Sequence, residues 1–171
     1  AAIASSFKAW KLLTAFTISR NAVGCLGAKA LGEAVGNHQT IEVFSLRFNP
    51  INDDGVTALC TGIKRNTSLR MLFLGNCQVT PASFRELGDT NVPRLWLGNN
   101  NFGEGPAFDA ATLLGSGGSS SVTHIVLDGC KLGPIGATNI AETLIDNNVL
   151  SKLVLTSNGI IDEGAAALAN S

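Results

Sequence analysis

The sequence is an internal repeat with a period of about 28 residues. Apolar residues alternate over the first part of each unit, as in a β-strand, and recur at every fourth residue over the second part, as in a helix. Because one such unit cannot bury its apolar face alone, the units must stack side by side. Six equivalent units begin at Leu13, Ile41, Leu69, Val92, Val122 and Leu150.

The ninth position of the units carries one small set of residue types. An Asn amide both donates and accepts hydrogen bonds, and Cys is small and offers a weak donor. We therefore expect a structural ladder that satisfies backbone groups in the turn after each strand, in preference to a redox or metal role for the cysteines. This row is Asn21, Asn49, Cys77, Asn100, Cys130 and Asn158.

The second halves of the units differ in length. Small residues or Pro close the turn before each helix, at Gly27, Gly55, Ser83, Pro106, Gly136 and Gly164. The third unit has room only for a short helical turn near residues 82–88. The fourth unit contains a Gly/Ser run, 115–121, whose composition predicts a mobile loop.

The pattern L-x-x-L-x-L-x-x-(N/C)-x-(I/L), followed by a helical half, resembles the leucine-rich repeat of the ribonuclease-inhibitor type. Segments that carry the resemblance include SLRMLFLGNCQV, VPRLWLGNNNFGEG, HIVLDGCKLGPIGA and KLVLTSNGIIDEGAAALA. The resemblance covers essentially the whole chain and is specific for fold rather than function. It implies an α/β fold: a right-handed, curved solenoid with parallel strands on the concave face and helices on the convex face.

We expect one leucine-rich-repeat domain over residues 1–171, cut from a longer array at both ends. Ile3 and Phe7 match the helical positions of a preceding unit, and Gly164 to Ser171 stops within a helix. A naturally short protein with an unusual cap is the alternative.

Composition excludes some classes of partner. A formal net charge of −1 and a pI near 6.1 give no general attraction to nucleic acid or anionic membranes. No apolar run approaches the ~20 residues of a membrane span, and no signal peptide is visible. The four cysteines form no C-x-x-C pair, which favours reduced thiols and a cytoplasmic location. We interpret the sequon at Asn66 as a helix-to-strand turn rather than a glycosylation site.

Candidate binding residues lie where strand side chains point away from the helices. Trp96 and Phe73 are neighbours across strands there, and Trp and Arg are enriched at binding hot spots. We expect a protein-binding patch centred on Trp96; the alternative is that another domain, or a missing part of the array, covers these side chains. The predicted concave-face residues are Trp96, Phe73, Met71, Arg94, Phe48, Arg47, His124, Asp128 and Lys152.

We expect no catalytic, cofactor or metal site. His124 and Asp128 share a strand face but lack a nucleophile. His38 lies in a turn without an obvious partner, and the Gly/Ser run lacks the Lys of a phosphate loop. The pair Asp53 and Asp54 begins a helix, where carboxylates are favoured, and Asp162-Glu163 occupies the equivalent place in the sixth unit.

The sequence thus predicts a scaffold or sensor module that binds a protein partner through its concave face. A purely architectural segment of a large assembly, such as a ciliary or cytoskeletal complex, is the alternative. A ribonuclease inhibitor is a weaker one, because ribonucleases are strongly basic and the face carries Arg47, Arg94 and Lys152.

Overall fold

A computed structural model describes residues 7–103, 108–115 and 120–171. Six short strands form one parallel sheet in the order of the chain, which confirms the predicted α/β solenoid of parallel strands. The strands are β1 (Ala15–Thr17), β2 (Val43–Ser45), β3 (Met71–Phe73), β4 (Arg94–Trp96), β5 (His124–Val126) and β6 (Lys152–Val154).

The register of the sheet follows the repeat without a slip. Val43 pairs with Met71 and Phe73 pairs with Trp96, so equal positions of neighbouring units lie side by side. The central residue of each strand points into the core; in β2 to β5 this residue is fully buried. Because side chains alternate along a strand, the two residues that flank it point to the other face of the sheet.

A helical segment follows each strand. The α-helices are α1 (Cys25–Gly36), α2 (Asn52–Ile63), α3 (Phe84–Gly88), α4 (Ala110–Leu114), α5 (Gly133–Leu144) and α6 (Asp162–Ala169). Short 3-10 turns cover Phe7–Ala9 and Pro81–Ser83. The second turn and α3 make up the short helical segment predicted near 82–88. Ile3, Pro106 and residues 116–119 of the Gly/Ser run lie outside the described residues, as do the predictions made for them.

The core runs along the molecule between the sheet and the helices. Apolar residues from the strands, such as Leu72 and Leu95, pack with helical residues such as Leu59 and Ile63 in one continuous cluster. Burying a side chain of this size contributes about 1.5–3 kcal/mol. The core thus supports the opposite face of the sheet with a closely packed base.

Two neighbouring helices approach closely through glycine. A Cβ atom at Gly36 would lie 2.1 Å from the carbonyl oxygen of Gly62, and one at Gly62 would lie 2.3 Å from the carbonyl carbon of Gly32. These distances are too short for any side chain, so α1 and α2 can pack this way only because these positions lack one.

A left-handed backbone turn ends every strand. The eighth position has a positive φ in all six units, including 58° at Arg20 and 57° at Phe48. Arg20 N donates to Arg47 O at 2.8 Å, and Phe48 N donates to Gly75 O at 2.9 Å, so each turn is tied to the next unit. The direction of these two side chains is therefore set by the backbone.

Among the described residues, 7–103, 108–115 and 120–171, no helix is long and apolar enough to cross a membrane. The same ranges contain no group of three metal-ligating side chains of the His, Cys, Asp or Glu type.

Candidate protein-binding face

The predicted ninth-position row bridges neighbouring units, as Asn100 shows. Its Nδ2 donates to Leu74 O at 2.9 Å and to Leu97 O at 2.6 Å. Its Oδ1 accepts from Cys77 N at 2.9 Å and from Val79 N at 3.1 Å. One buried amide thus satisfies four backbone groups in two units. Asn49 and Asn158 make the same kind of bridge, whereas the exposed Asn21 donates to Ile18 O and Ser19 O within its own turn.

The two cysteines of this row donate but do not accept. Cys77 Sγ donates to Leu46 O at 3.3 Å, and Cys130 Sγ donates to Leu97 O at 3.5 Å. Burial raises the pKa of the Cys77 thiol to about 11 and that of Cys130 to about 12. Because a neutral thiol is a weak nucleophile and a poor metal ligand, these environments suit a structural role.

A second polar row, which the sequence did not reveal, lies at the helix-to-strand turns. Asn66 is buried; its Nδ2 donates to Val35 O at 2.7 Å and to His38 O, and its Oδ1 accepts from Leu69 N. His38 occupies the equivalent position one unit earlier, and its Nε2 lies 2.8 Å from Trp10 O. The prediction that His38 has no obvious partner is therefore wrong. The buried Asn66 amide is also inaccessible for glycosylation.

Asp53 does more than favour a helix N-terminus. Its carboxylate accepts from Thr80 N at 2.9 Å, from Thr80 Oγ1 at 2.7 Å and from the Ser83 hydroxyl. Since both partners belong to the next unit, Asp53 fastens the start of α2 to the short third helical segment. Its neighbour Asp54 is exposed.

We use the term open face for the side of the sheet opposite the buried strand centres, predicted from the resemblance as concave. The first and third residues of every strand point to it, and the turns that follow the strands extend it. Along β3 and β4 the burial alternates, with Met71, Phe73, Arg94 and Trp96 partly exposed around buried centres.

Phe73 and Trp96 form a stacked pair at the middle of the open face. Their ring centroids lie 4.4 Å apart, with an angle of 22° between the ring planes. Met71 and Arg94 pair with each other in the register two residues earlier on the same two strands. The structure therefore brings together the four residues at the centre of the predicted patch.

Phe48, next along the face, lies against two arginines. The guanidinium carbon of Arg20 lies 4.1 Å from the Phe48 ring centroid, and that of Arg47 lies 5.5 Å from it. A cavity of about 450 Å³ opens beside them. Its lining is Thr17, Ser19, Arg20, Val43, Ser45, Arg47, Phe48 and Phe73.

Side chains of neighbouring units lie over two glycines of the open face, Gly75 and Gly98. A Cβ atom at Gly75 would lie 3.4 Å from Arg47 Nε, so the Arg47 side chain extends over the third unit. A Cβ atom at Gly98 would lie 2.0 Å from Asp128 Oδ1, so the Asp128 carboxylate extends over the fourth. The cavity side of the face thus carries Arg20 and Arg47, and the other side carries the Asp128 carboxylate together with Lys152.

The remaining predicted residues lie toward the last two units. His124 Nδ1 is 3.0 Å from Thr123 Oγ1, while Asp128 Oδ2 accepts from Asn99 Nδ2 at 3.4 Å. These separate partners give no sign of a His–Asp catalytic pair. Lys152 is exposed on β6 and pairs in register with His124.

The sequence prediction missed the residues that complete the cavity, Arg20 foremost. Arg20 holds the eighth position of the first unit, which Phe48 holds in the second. Its place in the strand-ending turn one unit before Phe48 was the available signal. The contact of Arg20 with Phe48 depends on the left-handed turn and was not visible in the sequence.

Comparison with known proteins places the chain in a class. A family model described as Leucine Rich repeat matches residues 37–60 and 146–169. The chain is 29% identical over 150 residues to mouse (Mus musculus) NACHT, LRR and PYD domains-containing protein 12, covering 82% of this chain and 14% of that protein. It is 28% identical over 151 residues to pig (Sus scrofa) ribonuclease inhibitor, covering 83% of this chain and 32% of that protein.

A solved structure shares the architecture. The structure of leiomodin-1 actin-binding site 2 superposes with a TM-score of 0.59 at 17% identity, covering 98% of this chain and 83% of that one. The parallel sheet, the helical crossovers and the asparagine–cysteine row define a leucine-rich-repeat solenoid. The chain has this fold and is similar to leucine-rich-repeat proteins of the ribonuclease-inhibitor type, and it spans a third or less of the two relatives just described.

Proposed function

We propose that this chain is a protein-binding module, a scaffold or sensor segment that docks a partner on its open face. The observation that carries the proposal is the Phe73–Trp96 stack. These two large rings stay partly exposed on the face opposite the core, although the core beneath them is closely packed. Rings placed this way lose water contact only when a partner covers them.

The surroundings of the stack match a binding hot spot. Trp and Arg are enriched where a few residues supply most of the binding energy, and Arg94 lies on the same strand as Trp96. Met71 beside them adds a flexible apolar contact. We therefore place the centre of recognition on β3 and β4.

The relatives support binding as the general role. One relative is named ribonuclease inhibitor, and the similar solved structure is that of an actin-binding site. At 17% identity the similarity to leiomodin-1 supports a shared fold and nothing more, so we do not assign actin as the partner. We do not assign a ribonuclease either. The positive Arg20–Arg47 side of the face also argues against a strongly basic target.

We further propose binding without catalysis, in a reducing intracellular compartment. The four cysteines are free, and the three buried ones have raised pKa values, as expected of structural thiols. The architectural alternative differs only in how permanently the face is covered. A partner that exchanges within minutes supports recognition, and one that stays bound through purification supports architecture.

The test is affinity capture followed by direct binding of the purified partner. The wild-type chain is compared with a Phe73→Ala, Trp96→Ala double variant. We expect the partner to bind the double variant at least tenfold more weakly, because truncating a hot-spot aromatic costs about 2 kcal/mol or more. Circular dichroism and urea unfolding must first show that both chains fold.

The matched control removes two exposed apolar side chains from helices instead. Leu26 on α1 is 84% exposed and Ile135 on α5 is 52% exposed. A Leu26→Ala, Ile135→Ala variant should bind as wild type does. Equal binding by the aromatic variant, or a loss confined to the helix variant, would contradict docking on the open face.

A further inference from the structure

The cavity of about 450 Å³ on the open face has the chemistry of an anion site. Arg20 and Arg47 flank its Phe48 wall, at 4.1 Å and 5.5 Å from the ring centroid. Since both guanidinium groups lie against one ring, their charges fall within about one Debye length of each other, ~10 Å at 0.1 M salt. Their mutual repulsion is relieved when a negative group enters between them.

No acidic side chain lines this cavity. Within the part of the chain that the structure describes, the one ion pair joins Lys64 and Asp89, at 3.4 Å. Neither Arg20 nor Arg47 therefore has a carboxylate partner among the described residues. Their positive charge is available to a ligand.

Hydroxyl groups add neutral donors to the charged ones. Ser19 Oγ and Ser45 Oγ lie 2.8 Å apart, so one donates its proton to the other. The accepting hydroxyl keeps its own proton free for a ligand, because each hydroxyl has one donor and two acceptor sites. Ser45 is buried, which holds this pair in place at the base of the cavity.

The size and walls of the cavity select among anions. A guanidinium fork matches the two oxygens of a carboxylate, and the Phe73 ring offers an apolar wall to the methylene groups of a side chain. The open face also carries Arg94 and Lys152 beside the Asp128 carboxylate, so the choice of a protein carboxylate rests on the size of the cavity and its Phe73 wall, which fit one short side chain.

We propose that this cavity receives the carboxylate of an aspartate or glutamate side chain on an acidic segment of the partner. This inference rests on the proposed function and specifies its chemistry. The acidic side chain lies between Arg20 and Arg47 while the adjoining part of the partner covers Phe73 and Trp96.

The test titrates the whole chain with a hexaglutamate peptide and follows the arginine Nε–H signals by NMR. We expect saturable shifts at Arg20 and Arg47, and none with hexaglutamine. Arg20→Gln and Arg47→Gln should each weaken binding about tenfold, the usual effect of losing a charged hydrogen bond. Arg65→Gln, an exposed substitution with the same charge change, should alter affinity less than twofold. Raising the salt concentration should weaken binding.

Several outcomes overturn the proposal. Equal binding of hexaglutamate by the Arg20→Gln, Arg47→Gln double variant does so, as does equal binding of hexaglutamine. Tighter binding of inorganic phosphate than of hexaglutamate, at matched ionic strength, replaces it with a general anion site. Failure of this inference is separable from failure of the proposed function. If the aromatic variant no longer binds the partner while the arginine variant binds it normally, the proposed protein-binding function is supported and the proposed contact with an acidic side chain is rejected.

Discussion

At the scale of single residues, the ladder amides matter most for stability. Asn100 satisfies four backbone groups that have no water to bond with, because Leu74, Cys77 and Leu97 around it are buried. An unsatisfied buried group costs about 1–3 kcal/mol. Cys77 in the same row donates through its thiol, and the turn of the preceding unit closes on itself, with Ile51 N donating to Asn49 O at 2.8 Å.

We predict that Asn100→Ala lowers the free energy of unfolding by about 3 kcal/mol or more, because its four partners are left unpaired. Asn21→Ala is the matched control in the same row, and we expect it to cost less than about 1 kcal/mol, since Asn21 is exposed. Urea unfolding followed by circular dichroism measures both. A similar loss of unfolding free energy in the two variants would show that burial of the Asn100 amide does not explain its contribution to stability.

The ladder also shows what could be predicted at this scale. Asparagine and cysteine recur at one position, so their structural role was visible from residue type alone. The row through His38 and Asn66, which Asn147 continues in the fifth unit, was not identified, because its partners are backbone carbonyl groups of the preceding unit, which leave no mark in the sequence. These acceptors are Trp10 O for His38, Val35 O for Asn66 and Leu114 O for Asn147.

At the scale of elements, the close packing of α1 on α2 depends on glycine rather than on large apolar residues. Glycine in a helix interior costs about 1 kcal/mol relative to alanine, so its use in both helices needs a packing reason. The 2.1–2.3 Å distances to backbone atoms of the facing helix supply that reason.

We predict that Gly62→Ala destabilises the chain by about 2 kcal/mol despite alanine's higher helix propensity, because the new methyl group forces α1 and α2 apart. Thr61→Ala, at the exposed neighbouring position in α2, should be neutral or slightly stabilising. Thermal unfolding of the two variants beside wild type decides the matter. A neutral or stabilising Gly62→Ala would rule out the packing role.

Strand register could be predicted fully from the repeat, because alternation in the strand and a four-residue spacing in the helix fix which residues face the core. The cavity could not. Two of its lining residues, Arg20 and Phe48, lie in turns where φ is near 57°, a conformation that a bulky residue rarely adopts and that sets the direction of both side chains.

At the scale of the whole molecule, each unit contacts mainly its neighbours, so each is held in position by the units on either side of it. The sheet presents one continuous surface on which the turns after β1 and β2, the β3–β4 aromatic pair and Asp128 follow one another. The cationic cavity, the aromatic centre and the mixed charges of Asp128 and Lys152 follow one another, an order that suits an extended partner segment. The repeat boundaries at residues 13, 41, 69, 92, 122 and 150 stay a prediction.

The measurement that tests docking on the open face most directly uses Met71, the only methionine in the chain. Met71 is partly exposed on β3, two residues before Phe73 on the same face. A chain labelled with ¹³C at the methionine methyl group therefore gives one resonance from the centre of the proposed site. We predict that the purified partner shifts or broadens this resonance in wild type and in the Leu26→Ala, Ile135→Ala control. An unchanged resonance in a complex shown by co-elution to have formed would contradict recognition through the open face.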